Sequence, residues 1–292
     1  MTPTRPMLAA DLKMDLSKVR YPCLATPKID GYRCLVLNGN ALTRNFKPQP
    51  NLYIRECLRS MFTDFLDGEL VIPNSSFNEG GGLLRTITGS PNFEYHVFDD
   101  LRDLTLPYKA RAGGLINRQP NFPPFVKPIL PRVISNEDEL REAEEHYILQ
   151  GYEGVMLRDP LSKYKSGRST LNEFGLVKLK RFIDDEATCT GFDELQRNHN
   201  ELEKNAFGLA DRSTHQENLV GGNTLGALKA LWKNENGLNV EISVGSGFTQ
   251  LQRDQIWLNR MMYIGKTFTF KYQPHGMDLR PRHPTFKDWR FE

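Results

Sequence analysis

Short apolar-rich runs, bounded by turn-forming residues, recur along the earlier part of the chain and predict β-strands. They are CLVLN at 34–38, LDGELVI at 66–72, EYHVFDDL at 94–101, YEGVMLRD at 152–159 and LVKLKRF at 176–182. Because successive side chains of a strand point to opposite faces, the last run predicts that Lys178 and Lys180 share one face. Val177 and Leu179 would then occupy the other face.

The clearest helix is predicted in SNEDELREAEEHYILQG, at 135–151. Ser135 with Asp138 predicts a capping box at its start, and Gly151 predicts its end. The apolar stripe of this helix comprises Leu140, Ala143, Tyr147 and Ile148. Such a mixture of strands and helices indicates antiparallel, helix-flanked sheets and not a regular βαβ repeat.

The pattern changes after the acidic triplet Asp184-Asp185-Glu186, where we predict a domain boundary, with domains at 1–184 and 185–292. Residues 193–222 are polar and weakly periodic, which indicates a long insertion. Two later runs alternate like strands: GLNVEISVGSGF at 237–248 and GKTFTFKYQP at 265–274. These runs suggest a small closed β-structure such as an OB-fold.

Composition places the chain among soluble globular proteins, with 39% apolar and 25% charged residues in a total of 292. No apolar run approaches the length that crosses a bilayer, and the first residues lack a signal-peptide hydrophobic region. We therefore predict a cytoplasmic protein with no membrane partner. The net charge of +2 does not by itself indicate a nucleic-acid partner, although residues 265–291 form a local basic patch.

The cysteines indicate reduced thiols and no zinc site. They are Cys23, Cys34, Cys57 and Cys189. No two of them form a C-x-x-C pair, and no histidine lies nearby at the spacing of a zinc ligand.

The stretch ATPKIDGYR, at 25–33, fixes Lys28 between Pro27 and an Asp-Gly turn. Turns between strands often carry such residues, and roughly one chain in fifteen of this length contains K-x-D-G by chance. An amine attacks only when it is unprotonated, and positive neighbours favour that form. Because Arg33, Lys178 and Lys180 would be such neighbours, Lys28 is a candidate nucleophile.

Other strand residues admit both a structural and a chemical interpretation. Lys178 and Lys180 suit a solvated strand face, but two adjacent cations also suit a triphosphate. Glu69 and Glu153 suit edge-strand charges, but they also suit Mg²⁺ or Mn²⁺, which bind carboxylates together with substrate phosphates. Phe98 suits the core, and a flat ring at a strand end also stacks on a purine base.

Five motifs occur in an order and spacing that resemble a known enzyme family. They are K-x-D-G-x-R at 28–33, D-G-E at 67–69, VFD at 97–99, E-G-V at 153–155 and V-K-L-K at 177–180. This set resembles the nucleotidyltransferase motifs of ATP-dependent DNA ligases, and most closely those of the compact ligases of bacteriophages. Further segments resemble the same group across nearly the whole chain: FNEGGGLLRT, YKSGRSTLNEFGLVKLKRF, TLGALKAL, SVGSGF, FKYQPHG and RPRHPTF.

The resemblance implies an α+β fold, in which a nucleotidyltransferase (ATP-grasp-like) domain of antiparallel sheets with flanking helices precedes a C-terminal OB-fold β-barrel. It implies ATP as the AMP donor, Mg²⁺ or Mn²⁺, and nicked double-stranded DNA as the substrate. Lys28 would attack the α-phosphate, AMP would pass to the 5′-phosphate, and the 3′-hydroxyl would displace AMP. The resemblance implies that this reaction serves DNA replication, repair and recombination.

The resemblance also implies a role for individual residues. Lys28 would be the nucleophile, assisted by Lys178 and Lys180, and Glu69 and Glu153 would bind the metal. Nucleotide binding would involve Thr26, Ile29, Arg33, Glu69, Phe98, Lys178 and Lys180. DNA binding would involve Arg44, Arg168, Arg212, Arg282 and Arg290. Thr26 stands where some relatives carry a glutamate, so purine selection would depend partly on backbone groups and shape.

Larger ligases carry an N-terminal DNA-binding domain before the catalytic lysine. From the position of Lys28 we expect this domain to be missing here. We therefore expect the 193–222 insertion, with Arg212, to hold the sugar-phosphate backbone without reading sequence. The expected state is a monomer that closes around DNA without an obligatory protein partner.

Several alternatives share the core motifs or the second domain. RNA ligases and GTP-using capping enzymes carry the same core motifs, but TLGAL, SVGSGF and RPRHPTF favour a DNA ligase. A further alternative is a non-catalytic DNA-binding protein that contains an OB-fold. The presence of all the motif residues needed for chemistry argues against this alternative. An NAD⁺-dependent ligase is disfavoured, because the chain has neither a nicotinamide-recognition domain nor a four-cysteine zinc site.

Overall fold

The computed structural model describes residues 3–61, 65–75, 77–204, 210–213, 215–274 and 279–290. The chain divides into two compact units, Met1–Lys180 (unit 1) and Arg181–Glu292 (unit 2). Within the described ranges, no helix has both the length and the apolar character needed to cross a membrane.

Unit 1 contains runs of consecutive strands with α-helices between them. Its strands are β1 Met7–Leu8, β2 Ala10–Asp11, β3 Cys23–Pro27, β4 Tyr32–Leu37, β5 Asn40–Thr43, β6 Phe65–Val71, β7 Glu94–Asp100, β8 Val126–Pro128, β9 Arg132–Ile134, β10 Gly154–Arg158, β11 Gly167–Arg168 and β12 Val177–Lys180. Its α-helices are α1 Leu52–Arg59, α2 Phe77–Arg85, α3 Tyr108–Arg118 and α4 Glu137–Leu149. Single 3₁₀ turns occupy Leu16–Lys18 and Gln119–Asn121.

The strands of unit 1 form two five-stranded sheets and a two-stranded ribbon. The first sheet has the order β2-β12-β10-β3-β9, and the second has the order β5-β4-β6-β7-β8. Neighbouring strands are antiparallel except for β2 with β12 and β7 with β8, which are parallel. The ribbon pairs β1 with β11 in parallel. This arrangement agrees with the predicted α+β class.

Each five-stranded sheet packs one face against helices. In the first sheet, Val177 and Leu179 are completely buried in a core that also contains Leu140 and Ala143 of α4. In the second sheet, the core includes side chains of α1, α2 and α3. Since alternate residues point to the opposite face, Lys178 and Lys180 are directed away from the α4 core, as the sequence pattern predicted.

The N-cap of helix α4 lies one residue after Ser135, the predicted N-cap. Asn136 is the N-cap, and its side-chain oxygen accepts a hydrogen bond of 2.9 Å from the Glu139 backbone N–H. The Glu139 carboxylate in turn accepts one of 2.8 Å from the Ser135 backbone N–H. The predicted pairing of Ser135 with Asp138 was therefore wrong. Ser and Asn are comparable caps, so the glutamate at the third helical position decides the register.

Unit 2 is built mainly from long antiparallel strands. They are β13 Ile183–Asn198, β14 Leu202–Lys204, β15 Ala210–Arg212, β16 Leu219–Lys233, β17 Asn239–Val244, β18 Thr267–Gln273 and β19 Arg282–Trp289. The helical segments are α5 Gln250–Leu258 and the 3₁₀ turns Gln216–Asn218 and Arg260–Met262. Five strands form one sheet in the order β17-β16-β13-β18-β19, and β14 pairs with β15 separately.

The two edge strands of the five-stranded sheet approach each other at one point. Ser246, just beyond β17, bridges to Thr285 of β19, and its carbonyl accepts a 2.9 Å hydrogen bond from the Phe286 backbone N–H. Side chains such as Trp232, Phe268 and Phe270 fill the interior and are completely buried. The described strands thus curve toward a barrel without forming a continuous closed ladder.

The 193–222 segment, which we predicted as a long polar insertion, consists largely of paired strands. Strands β13 and β16 remain paired as far as Asn198 with Leu219, and the β14–β15 hairpin follows. The register shifts around Glu194, and such bulges interrupt the alternation of apolar and polar residues. The outer end of the β13–β16 pair buries little apolar surface, so its sequence carries no clear strand signal. Residues 205–209 and 214 of this segment lie outside the described residues.

Candidate active site

Unit 1 contains a cavity of about 610 Å³ whose lining combines both five-stranded sheets. Residues of β3, β10 and β12 contribute from the first sheet, and residues of β4, β6 and β7 contribute from the second. Ten of the residues predicted from the sequence line this cavity: Thr26, Lys28, Ile29, Arg33, Arg44, Glu69, Phe98, Arg168, Lys178 and Lys180. Residues more than a hundred positions apart in the chain therefore meet in one site.

Lys28 is fixed next to Glu153 by the backbone on both sides. The Lys28 N–H donates to the Gly154 carbonyl at 2.8 Å, and the Glu153 N–H donates to the Lys28 carbonyl at 2.9 Å. One carboxylate oxygen of Glu153 pairs with the Lys28 ammonium, and the other pairs with the Lys180 ammonium. Glu153 thus holds the two lysines next to each other.

Gly154 permits this close approach of the strands. Its φ angle is +151°, and a Cβ at this position would lie 2.3 Å from the Leu179 carbonyl oxygen. A side chain would force β10 away from β12 and would displace the neighbouring Glu153. The glycine of the E-G-V motif therefore has a steric reason in this structure.

The shared ion pairs determine the charge state of Glu153. Burial raises the pKa of this carboxyl, but the charges and hydrogen bonds of Lys28 and Lys180 outweigh burial and lower its pKa to about 2. Burial and the charge of Lys28 also lower the pKa of Lys180, although Glu153 opposes this effect. Glu153 is consequently ionised at neutral pH.

Lys178 has its own carboxylate partner, which the sequence did not reveal. Asp11 on β2 lies beside Lys178 in the parallel pairing, and its Oδ2 is 3.1 Å from the lysine Nζ. Burial raises the pKa of Asp11, but hydrogen bonds from the Lys13 backbone and from Lys178 lower it overall. Asp11 therefore fixes the first lysine of the V-K-L-K motif.

Arg33 is anchored in the cavity by Asp67, the first residue of D-G-E. The arginine Nε and Nη2 donate to the two Asp67 oxygens at 2.5 and 2.6 Å, and the Tyr164 hydroxyl donates to Asp67 at 2.7 Å. The guanidinium carbon lies 4.7 Å from the centre of the Phe98 ring. This ion pair fixes the arginine against the aromatic ring.

Glu69 differs from the other carboxylates because none of the described basic groups forms an ion pair with it. It lies opposite Arg33 across β4 and β6, but the guanidinium of Arg33 already pairs with Asp67. Burial raises the pKa of Glu69 to about 7, although the charges of Arg33 and Lys28 oppose the rise. Glu69 is thus a cavity carboxyl that titrates near neutral pH.

Phe98 is followed by a buried charge cluster that the sequence left unexplained. Asp99 is completely buried and pairs with Arg111 at 2.7 Å and also with Arg158. The Arg158 guanidinium lies 4.2 Å from the centre of the Tyr108 ring. Because Arg158 also lines the cavity, this cluster connects the end of β7 with β10 and positions Phe98.

Comparisons with known proteins show which family the chain resembles. Residues 222–290 match the family model of the DNA ligase OB-like domain. A solved structure of a Chlorella virus DNA ligase-adenylate has 33% sequence identity to the chain, with a TM-score of 0.58, and the match covers 100% of this chain and 99% of that one. The chain belongs to the DNA ligase family.

Other matches cover less of the sequence or are more distant. A DNA ligase of African swine fever virus is 29% identical over 126 residues, which are 42% of this chain and 30% of the viral protein. The match therefore spans less than a third of that curated relative. A Lig E DNA ligase structure has a TM-score of 0.71 at 21% identity and covers 98% of this chain and 99% of its own, which shows a common fold.

Three of the predicted DNA-binding residues lie in unit 2. Arg212 is on β15 and donates to the Asn200 carbonyl. Arg282 begins β19, and Arg290 directly follows that strand. The Nε of Arg290 is 2.8 Å from a carboxylate oxygen of Glu186, so the acidic triplet at the start of unit 2 contributes to ion pairing within the unit.

The cavity carboxylates suit Mg²⁺ only together with a substrate. Within the described ranges, no three His, Cys, Asp or Glu side chains form a metal-binding group. Both oxygens of Glu153 have lysine partners, whereas Glu69 lies in the cavity lining. Because Mg²⁺ commonly binds one or two carboxylates and completes its shell with substrate phosphates and water, Glu69 fits such a site. Glu153 fits it once one of its oxygens is released by a lysine.

Proposed function

We propose that the chain is an ATP-dependent DNA ligase that joins a 5′-phosphate to a 3′-hydroxyl at nicks in duplex DNA. The observation that supports this proposal most directly is the cluster of Lys28, Glu153 and Lys180 in a cavity of nucleotide size. Membership of the DNA ligase family supports DNA as the substrate class.

In the first step, the Lys28 amine attacks the α-phosphorus of ATP. A nitrogen–phosphorus bond forms, and the bond breaks between the α-phosphorus and the oxygen that links it to the β-phosphorus. Pyrophosphate leaves with that oxygen. Attack requires that Lys28 leave its ion pair with Glu153 and lose a proton. Lys180 keeps its own ion pair with the same carboxylate, so Glu153 is not left as an isolated buried charge.

In the next two steps, AMP moves from the protein to DNA and is then released. An oxygen of the DNA 5′-phosphate attacks the lysyl-AMP phosphorus, the nitrogen–phosphorus bond breaks, and Lys28 regains a proton. The 3′-hydroxyl then attacks the 5′-phosphorus, loses its proton and displaces AMP. Lys178, Lys180 and Arg33 neutralise charge on the transferred phosphoryl groups. Mg²⁺, when bound at Glu69 and Glu153, supplies additional neutralisation of phosphate charge.

The remaining cavity residues suit the nucleoside part of ATP. Phe98 offers a ring for stacking on adenine, and Glu69 offers a carboxylate for a ribose hydroxyl. Thr26 on β3 is 6% exposed and lines the cavity with Ile29. Purine selection therefore rests on the backbone and shape around these two residues.

DNA contact is assigned to arginines of both units. Arg44 and Arg168 line the cavity and suit the phosphates at the nick. Arg212 lies on the hairpin beyond the β13–β16 ribbon, and Arg282 and Arg290 lie at the two ends of β19. Contacts through phosphates would give binding without sequence preference, by a monomer that closes around the duplex.

A labelling experiment tests the proposal. Purified protein, Lys28→Ala and the surface control Lys18→Ala are incubated with Mg²⁺ and ATP labelled at the α-phosphate, and nicked DNA is then added. We expect acid-labile label on the wild type and the control alone, with discharge as the nick is sealed. Label on Lys28→Ala equal to that on the wild type would refute Lys28 as the nucleophile. Preference for nicked RNA, or for GTP with diphosphate-ended RNA, would replace DNA ligation as the activity.

A further inference from the structure

Positive charge dominates the cavity, and most of it is neutralised by the protein itself. The described lining contains eight basic side chains and one acidic side chain, Glu69. Five of the eight have carboxylate partners: Lys28 and Lys180 with Glu153, Arg33 with Asp67, Lys178 with Asp11, and Arg158 with Asp99. Among the described residues, Arg44, Arg85 and Arg168 form no ion pair. These three arginines are available to an external anion.

Arg85 was not identified from the sequence, although it lies in the FNEGGGLLRT segment. It ends helix α2, which packs closely on Tyr32: a Cβ at Gly81 would lie 1.9 Å from the Tyr32 hydroxyl. Arg85 is one helical turn after Gly81, and its Nε donates to the Gly81 carbonyl at 2.9 Å. The guanidinium carbon lies 6.0 Å from the centre of the Tyr32 ring. Helix packing thus holds this guanidinium at the cavity.

The terminal nitrogens of Arg85 remain available for a ligand. Only its Nε has a hydrogen-bond acceptor within the part of the chain that the structure describes. Arg85 is also solvent-exposed, and its apolar neighbours Leu83 and Ile87 are 47% and 63% exposed. A sugar-phosphate backbone presents both an anionic phosphate and an apolar deoxyribose face, and the combination of Arg85 with exposed aliphatic side chains suits both.

We propose that Arg85 binds a backbone phosphate of the duplex beside the nick, and that the exposed end of α2 contacts the adjoining sugars. This inference rests on the proposed DNA ligase function and adds a contact residue to it. The exposed position of Arg85 favours DNA over the triphosphate of ATP, because the half-buried lysines Lys178 and Lys180 already place two ammonium groups in the cavity for a nucleotide.

The test compares Arg85→Ala and Arg85→Lys with Arg59→Ala. Arg59 is on α1, does not line the cavity, and its removal changes net charge by the same amount. Affinity for a nicked duplex with a 5′-phosphate is measured by fluorescence anisotropy over a series of salt concentrations. We expect Arg85→Ala to weaken binding about tenfold and to reduce the slope of log affinity against log salt by about 0.9, as loss of one phosphate contact requires. Arg85→Lys should restore most of the salt slope.

Self-adenylylation is measured on the same variants to separate the two sources of phosphate. We expect Arg85→Ala to take label from ATP at a rate within about twofold of the wild type. Unchanged DNA affinity and salt slope in Arg85→Ala, or a loss of self-adenylylation as large as the loss of sealing, would overturn the inference. A wild type that takes no label, yet binds duplex with an Arg85-dependent salt slope, would instead refute the ligase function and leave the phosphate contact in place.

Discussion

Glu69 is a carboxyl that the protein retains in the cavity at a cost in stability. Its Arg33 neighbour pairs with Asp67, so burial is only partly compensated and the pKa of Glu69 rises to about 7 from an ordinary value of 4.5. A carboxyl with a raised pKa binds a proton more tightly in the folded state than in the unfolded state. Stability therefore falls as pH rises from about 4.5 to about 7.

The magnitude follows from the pKa difference. Each pH unit between 4.5 and about 7 costs about 1.4 kcal/mol, which gives a total of about 3 kcal/mol above pH 7. Replacing Glu69 with glutamine removes the ionisation and keeps the side-chain volume. We expect Glu69→Gln to unfold about 6 to 12 °C above the wild type at pH 8 and within a few degrees of it at pH 5.

Glu153→Gln provides a matched comparison, because the pKa of Glu153 is shifted in the opposite direction to that of Glu69. The pKa of Glu153 is lowered to about 2, so its ion pairs stabilise the fold above pH 4.5, and this contribution is lost as pH falls toward 2. Glu153→Gln should therefore unfold at a lower temperature than the wild type at both pH 5 and pH 8. Its difference from the wild type should stay nearly constant between these two pH values.

Differential scanning calorimetry at pH 5 and pH 8 measures both variants against the wild type. At each pH, the Tm of the wild type is subtracted from the Tm of Glu69→Gln, and the two differences are compared. The effects of all other titrating groups cancel in this comparison, because both proteins contain them. If this difference is the same at both pH values, Glu69 does not titrate in this range. A lower Tm for Glu69→Gln at pH 8 would show that the ionised carboxylate stabilises the fold.

Two further variants test the geometry of the cavity. Asp67→Asn leaves the Arg33 guanidinium without its carboxylate partner. We expect the unfolding free energy, measured by denaturant titration, to fall by about 3 kcal/mol. An unchanged midpoint would show that Asp67 does not stabilise Arg33. Gly154→Ala places a Cβ against the Leu179 carbonyl and displaces Glu153, so we expect at least a tenfold lower rate of labelling from ATP. A normal labelling rate would show that β10 tolerates the side chain.

Local pattern was sufficient for the elements that have one buried face. The alternation in VKLK predicted a strand with Lys178 and Lys180 together on one face, and both line the cavity. The same reasoning failed for the outer end of the β13–β16 pair, at 193–198 and 219–223, because strands without a buried face have no alternation to detect. It also misplaced the start of α4, where Ser135 and Asn136 are equally good caps by type.

The motifs and their flanks identified the family and ten of the residues that line the cavity, since each motif is contiguous in the chain. They did not determine which charge neutralises which, because Lys28 with Glu153, Arg33 with Asp67 and Lys178 with Asp11 are joined only by strand pairing. Ion pairing and burial depend on distances that a linear sequence does not contain. The sequence by itself therefore specified the reactive residue types, and the tertiary structure alone decided that Glu69 titrates near pH 7 and that Arg44, Arg85 and Arg168 are available to an external anion.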